Sequence, residues 1–238
     1  MLNKIAENLW TVDYPLKFMG LPIETRMSVI RVNQRELVVV SPIQVSDELV
    51  AALAELGEVK YIIAPNLYHH LFAAAFAASY PEAQFWVVDG MQAKRPDLKP
   101  DRYLTEPAGD VAADVHYRNF PAFRVRDLPG NMPFNEYVFL HRPSRSLILT
   151  DTAFHFGPES HWSVRLLAKA LGIYGKLQPS QLERWALRDP VSAEATIREI
   201  LSWDFDRVIM AHGSIIESQG KRRLQAGYEW YLRKSLAV

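Results

Sequence analysis
The sequence predicts an α/β protein built as a layered sandwich, with helices covering the outer faces of packed sheets. Two observations lead there. The chain passes twice through a run of short, β-branched segments and then into helical ones, the order expected of a sheet and its cover, repeated. Three strands that read as buried end in polar residues able to bind something: His69 and His70 after Tyr61-Ile62-Ile63-Ala64, Asp151 after Leu147 to Thr150, and His212 after Val208 to Ala211. Loops at strand ends gather on one edge of a sheet, where such folds build their sites.

In order, Leu9 to Val12 opens as a short strand, Met27 to Val32 follows, Asn33-Gln34 supplies a turn, and Glu36 to Val40 returns. Ser46, with Asp47 and Glu48 behind it, starts a helix that carries Leu49, Leu53 and Leu56 on one face and stops at Gly57. Lys60 to Ala64 is the next strand, followed by a helix from about His69 to Ser79 closed by Pro81. Phe85 to Val88 is a brief strand. Met91 to Pro107 is charged, contains Pro96, Pro100 and Pro107, and reads as a surface loop. Strands resume at Val115 to Tyr117, Phe123 to Val125, Glu136 to Leu140 and Ser146 to Thr150, the last two joined by a hairpin-like link. The final third is helical at Trp162 to Ala170, Pro179 to Arg188, Ala193 to Trp203 and Lys221 to Ser235, interrupted by the strand Arg207 to Ala211. With no internal repeat and no dividing linker, residues 1–238 are expected to form a single domain.

Composition narrows the function classes. Apolar residues make up 49% and aromatic ones 11%, an ordinary soluble balance, and 27 Lys plus Arg against 27 Asp plus Glu argues against a broad nucleic-acid partner. The absence of cysteine removes disulfides, thiolate zinc sites and cysteine nucleophiles together, so any metal needs His and carboxylate ligands. No leader pattern opens the chain and no apolar run has membrane-spanning length, which gives a cytoplasmic protein with no membrane partner as the expectation.

Taken together these features resemble the metallo-β-lactamase fold superfamily, a four-layer αβ/βα sandwich of mostly hydrolytic metalloenzymes, and the likeness runs along nearly the whole chain. The superfamily's His-x-His-x-Asp-His motif falls on Pro65, Asn66, Leu67, Tyr68, His69 and His70; its Pro-Gly-His on Pro129, Gly130 and Asn131; its strand-end Asp on Asp151; and its last His on His212. Val38-Val39-Val40-Ser41-Pro42 is similar to the strand that in the superfamily usually ends in Asp and Gly. Pro65, Leu67 and Asn131 replace the three histidines of one metal site, so the resemblance implies that this site is gone. The other site corresponds to His69, His70, Asp151 and His212, with His for Asp at position 69. The degenerate motif with its His-His pair also resembles a divergent subgroup of the fold that lends no activity.

Three imidazoles and a carboxylate suit one ion, zinc or iron, and also manganese or nickel. Neighbours on a regular helix point about 100 degrees apart, so His69 and His70 can converge only where the backbone is not yet helical. In the bland alternative His69 caps a helix, His70 is a core histidine, and Asp151 and His212 are a hydrogen-bonded pair. Asp151 alone can also cap the turn that follows it. His155, four residues beyond Asp151, and Asn131 are candidates for a substrate pocket, and Asn131 alternatively shapes the turn after Gly130. Phe134, Tyr137, Phe154, Phe156 and Trp162 read as core and lid packing around the site.

Two functions follow. One is a mononuclear metal-dependent hydrolase of an ester, lactone, amide or phosphoester, its ion held by His70, Asp151 and His212, with His69 as fourth ligand or as a base beside the metal-bound water. The other is a non-catalytic, metal-free descendant that binds a small molecule or a protein. Fold likeness alone does not separate them, because function lives in the site.

Overall fold
The computed structural model describes residues 1–18, 20–121, 124–127, 130–187 and 189–236, the side chains of 124–127, 130–133 and 186 excepted. The first run of strands forms a seven-stranded sheet in sequence order: β1 (Asn3–Ala6), β2 (Leu9–Phe18), β3 (Leu21–Val32), β4 (Glu36–Val40), β5 (Glu58–Ala64), β6 (Gln84–Val88) and β7 (Arg102–Leu104). Tight connections make β1 to β4 antiparallel neighbours. From β4 onward the strands run parallel, and the crossovers that parallel pairing requires are α1 (Asp47–Leu56), α2 (Ala73–Ala78) and the short α3 (Met91–Lys94).

The second run gives β8 (Ala108–Ala112), β9 (Val115–Phe120), the hairpin β10 (Arg124–Asp127) and β11 (Gly130–Pro133), β12 (Glu136–His141) and β13 (Ser146–Ile148). Helices α4 (Trp162–Ala170), α5 (Gln181–Ala186) and α6 (Pro190–Ser202) follow, then β14 (Arg207–Ile209) and α7 (Gly220–Leu232). The five main strands are ordered β14-β13-β12-β9-β8, with β13 and β14 parallel and the other pairs antiparallel.

Burial explains the layering. All six residues of β12 are buried, yet Tyr137 and Phe139 join the core that includes the first sheet, whereas Val138 and Leu140 pack with Ile197, Leu201, Leu224 and Tyr228 of α6 and α7. Side chains alternate across a strand, so the second sheet is covered on one face by the first sheet and on the other by helices. On the far side of the first sheet, Leu53 of α1 and Phe76 of α2 complete the cover.

Several sequence expectations hold closely. α4 has the expected bounds, Ser46 Oγ accepts the Leu49 N–H at 3.2 Å to cap α1, and Gly57 ends that helix. Others need correction. The helix expected from His69 begins only at Ala73; residues 69–72 form turns. The expected loop 91–107 contains α3 and β7, because the proline-rich composition hid a three-residue edge strand pairing Trp86 to Val88 with Arg102 to Leu104. β2 and β3 extend into a long hairpin whose ladder runs from Leu9–Ile30 out to Phe18–Leu21. Its outer half is only partly buried, so the hydrophobic pattern fades while backbone pairing continues. Phe123, Pro129 and Arg188 lie outside the described residues. Among the described residues no helix is long and apolar enough to cross a membrane.

Candidate metal centre
The C-terminal ends of β5, β13 and β14 each deliver one polar side chain to the same place. β13 and β14 pair in parallel with Ile148 opposite Ile209, and Asp151 and His212 each lie three residues beyond that pair. His69 arrives from the turn after β5. One ligand atom from each of His69, Asp151 and His212 lies within 4.8 Å of the others. His69 Nε2 stands 3.1 Å from Asp151 Oδ2, and His212 Nε2 stands 3.5 Å from Asp151 Oδ1.

The outer edges of both imidazoles are already engaged. His212 Nδ1–H donates to the Glu24 carbonyl at 2.6 Å, and His69 Nδ1 hydrogen-bonds the Ser41 hydroxyl at 2.8 Å. A carbonyl can only accept, so the neutral His212 tautomer keeps its lone pair on Nε2, facing the cluster. Such an outer hydrogen bond on the non-ligating nitrogen is the usual companion of a metal-bound imidazole. Two imidazoles and a carboxylate could therefore hold a metal ion, with a coordination position left for a further ligand.

Electrostatics agree with a charged, dry site. Burial disfavours a charge on His69, but the adjacent Asp151 carboxylate outweighs it and raises the imidazole pKa. Burial would raise Asp151, yet the charge and hydrogen bond of His69, with help from His212 and Asn66, hold it below the usual carboxylate range. His212 moves down through burial, partly opposed by Asp151. Each shift is a preference for one charge state in this place, set by neighbours in a water-poor setting.

A family model described as "Domain of unknown function (DUF4336)" matches residues 6–182. The chain belongs to this family. Solved metallo-β-lactamases superpose on nearly all of this DUF4336 chain. DIM-1 exposed to ceftazidime gives a TM-score of 0.66 at 11% identity, covering 97% of this chain and 96% of that one. The enzyme from Pontibacter korlensis gives 0.63 at 11%, covering 98% of each. FIM-1 from Pseudomonas aeruginosa in its mono-zinc form gives 0.61 at 10%, covering 98% and 93%. The DUF4336 chain thus has the metallo-β-lactamase fold. No curated protein matches it.

His70, expected as a ligand, does not join the cluster in this DUF4336 chain. Its Nδ1 lies 3.0 Å from Arg95 Nη1, and burial together with the charges of Arg95 and Lys94 lowers its pKa to about 4. The reason is local: the turn that carries the pair is tight from Asn66 onward, so adjacent side chains diverge much as they would on a helix. His155 also stays outside the cluster. It forms an isolated bridge with Gly213 and donates from Nδ1 to the Ser214 carbonyl at 3.3 Å, so it braces the turn after His212. Gly213 is needed there, because its φ is +85° and a Cβ would meet the His155 carbonyl oxygen at 2.1 Å. The side chain of Asn131 lies outside the described part of the structure, although its backbone pairs with Arg126 in the β10–β11 hairpin. Among the aromatics, Phe154 stacks on His212 with centroids 6.4 Å apart, Phe134, Tyr137 and Phe156 are buried, and Trp162, expected in the packing, is 65% exposed.

Three supporting residues were not anticipated. Asn66 is fully buried; its Oδ1 accepts the Tyr68 and His69 N–H groups at 2.7 and 2.8 Å, and its Nδ2 donates to Asp151 Oδ2 at 2.8 Å. Glu136, also fully buried, accepts from the Thr150 and Asp151 N–H groups at 2.8 Å each, from Thr152 Oγ1 at 3.0 Å and from Asn66 Nδ2 at 3.3 Å. Burial, with Asp151 nearby, raises its pKa. Arg26 donates from Nη1 to the carbonyls of Met210 and Gly213, both at 2.8 Å, and its Nε faces Asp13 at 2.7 Å. An Asn after a strand signals a turn, which is half of what Asn66 does. Glu136 and Arg26 carry no local signal of their burial, which arises only when the two sheets meet.

Proposed function
We propose that this protein is a mononuclear metal-dependent hydrolase whose ion, zinc or iron, is held by His69, Asp151 and His212, acting on a small-molecule ester, lactone, amide or phosphoester. The observation that carries the proposal is the convergence of three ligand atoms within 4.8 Å, with both histidines presenting Nε2. A cation there supplies Lewis-acid polarisation of a carbonyl or phosphoryl oxygen and activates water near neutral pH. The chain's own residues do the rest. Asp151 contributes the anionic ligand, Ser41 and Glu24 fix the two imidazole rings, and Phe154 walls one side of His212. Residues 1–238 act as one domain in this reading. The mono-zinc form of FIM-1 supports one ion as sufficient for a metal centre on this fold.

The competing reading, a metal-free binding module, draws on Pro65 and Leu67, which stand buried where ligands would be needed for a second ion. Elemental analysis of protein purified without a histidine tag separates the two. The expected result is about one zinc or iron per chain, lost in both Asp151→Ala and His212→Ala, followed by turnover of at least one member of an ester, lactone, amide and phosphoester panel. Metal-free wild-type protein whose melting temperature ignores chelators would end the hydrolase reading and leave the binding module.

A further inference from the structure
We infer that Asn66, backed by Glu136, is the positioning unit of the site: one buried amide fixes the His69 turn and the Asp151 carboxylate relative to each other. The inference rests on the metal reading for its consequence, but not for its geometry. His69 and Asp151 come from loops of different sheets, and Asn66 touches both at once. Its Oδ1 takes two backbone N–H groups of the turn that carries His69, which settles the amide orientation, because Nδ2 could not accept them. Nδ2 then faces acceptors only: Asp151 Oδ2 at 2.8 Å, Thr150 Oγ1 at 2.9 Å and Glu136 Oε2 at 3.3 Å.

Glu136 fixes the other side. Four donors surround its two oxygens, two of them the consecutive N–H groups of Thr150 and Asp151, so the carboxylate holds the backbone from which the Asp151 side chain projects. A glutamine there would turn an NH2 group toward donors at one end or the other, and no rotation relieves both ends. The turn that carries Asn66 is tied through its main chain to β12 and to the residues just before it. Tyr137 N–H donates to the Pro65 carbonyl at 2.8 Å, and Leu67 N–H donates to that of Phe134 at 3.2 Å. Through these bonds residues 65–67 form a seam between the two sheets at the site.

The test uses the full chain with Asn66→Asp, Asn66→Ala and Glu136→Gln, with Zn²⁺ alone as probe in competition with a chromogenic chelator. Each variant is expected to lose about 10- to 100-fold in affinity, the usual effect of removing a partner behind a ligand. Amide hydrogen exchange on metal-free protein gives a second reading. Glu136→Gln is expected to speed exchange at Thr150 and Asp151, and Asn66→Ala at Tyr68 and His69, with Val39 and Ile62 unchanged. Should Glu136→Gln not fold, Asn66→Asp decides, because it keeps an oxygen for Tyr68 and His69 while setting a carboxylate against Asp151. It is then expected to speed exchange at Asp151 alone. Wild-type protein that binds no Zn²⁺ would sink the metal reading, while the exchange comparison would still decide the positioning role. Folded variants with wild-type exchange at these amides would overturn it.

Discussion
Leu67 and His69 leave the same turn two residues apart and end in opposite surroundings. Leu67 is fully buried in the core shared by the two sheets, beside Gly90, while His69 faces a carboxylate and a second imidazole at a strand end. In the motif that the sequence resembles, both positions are ligands. Leu67 leaves no gap: its side chain is part of the packing, and its main-chain N–H is bonded to the Phe134 carbonyl. His69 is held by polar contacts to Ser41, Asn66 and Asp151 instead. One short segment therefore divides into a part packed in the core and a part that faces the cluster of His69, Asp151 and His212.

Mutations can break this division. Leu67→Ala, which opens a cavity in a closed core, is expected to cost about 2 to 5 kcal/mol, read from urea unfolding, with the metal stoichiometry of the folded fraction unchanged. An equal loss of metal would erase the division. Arg26→Met acts on the other strand end. It removes a charged donor from the two carbonyls flanking His212, and a stability loss of about 1.5 to 3 kcal/mol is expected from hydrogen bonds of that kind. Zn²⁺ affinity should fall as well, since the His212 turn loses its clamp; unchanged affinity would assign Arg26 to the fold alone.

The smallest effect concerns a histidine remote from the cleft. His141 is almost wholly buried with Nδ1 2.7 Å from Ser144 Oγ, and burial, only partly opposed by Asp114, depresses its pKa. The unfolded chain takes up this proton near the ordinary histidine value of about 6.5. The contribution is thus fully present above that pH and is lost as pH falls through the lower folded value. Urea midpoints of wild type should decline from pH 7 toward pH 5 more steeply than those of His141→Gln. Parallel slopes would show that His141 does not contribute.

The legible parts of this protein were those whose signal is local. The capped helix from Ser46, the run from Trp162 to Ala170 and the strands before His69, Asp151 and His212 all announce themselves by spacing. Polar residues after strands also named three members of the cluster. What could not be read needed two distant segments at once. His70 carries the same side chain as its neighbour, and only the tightness of the Asn66 turn decides which of them reaches Asp151. Glu136 opens an apolar strand and reads as a charge at its margin, yet the loop after β13 closes over it. The outer half of the β2–β3 hairpin was missed for a related reason, since pairing there continues without the burial that periodicity reports.

The parallel register of β13 and β14 has a consequence for how such a chain can change. Because Ile148 is opposite Ile209 and Asp151 and His212 follow at equal distance, the sheet itself measures the separation of the two side chains. The long excursion through α4, α5 and α6 between them does not. Within that excursion Tyr174 and Gln178 bridge back to Phe156 and Phe154, so insertions and deletions are accommodated away from those contacts. A single residue gained or lost between Ile209 and His212 would instead move the imidazole away from Asp151. Length variation among relatives should therefore be commoner in the excursion than in the three steps after each isoleucine.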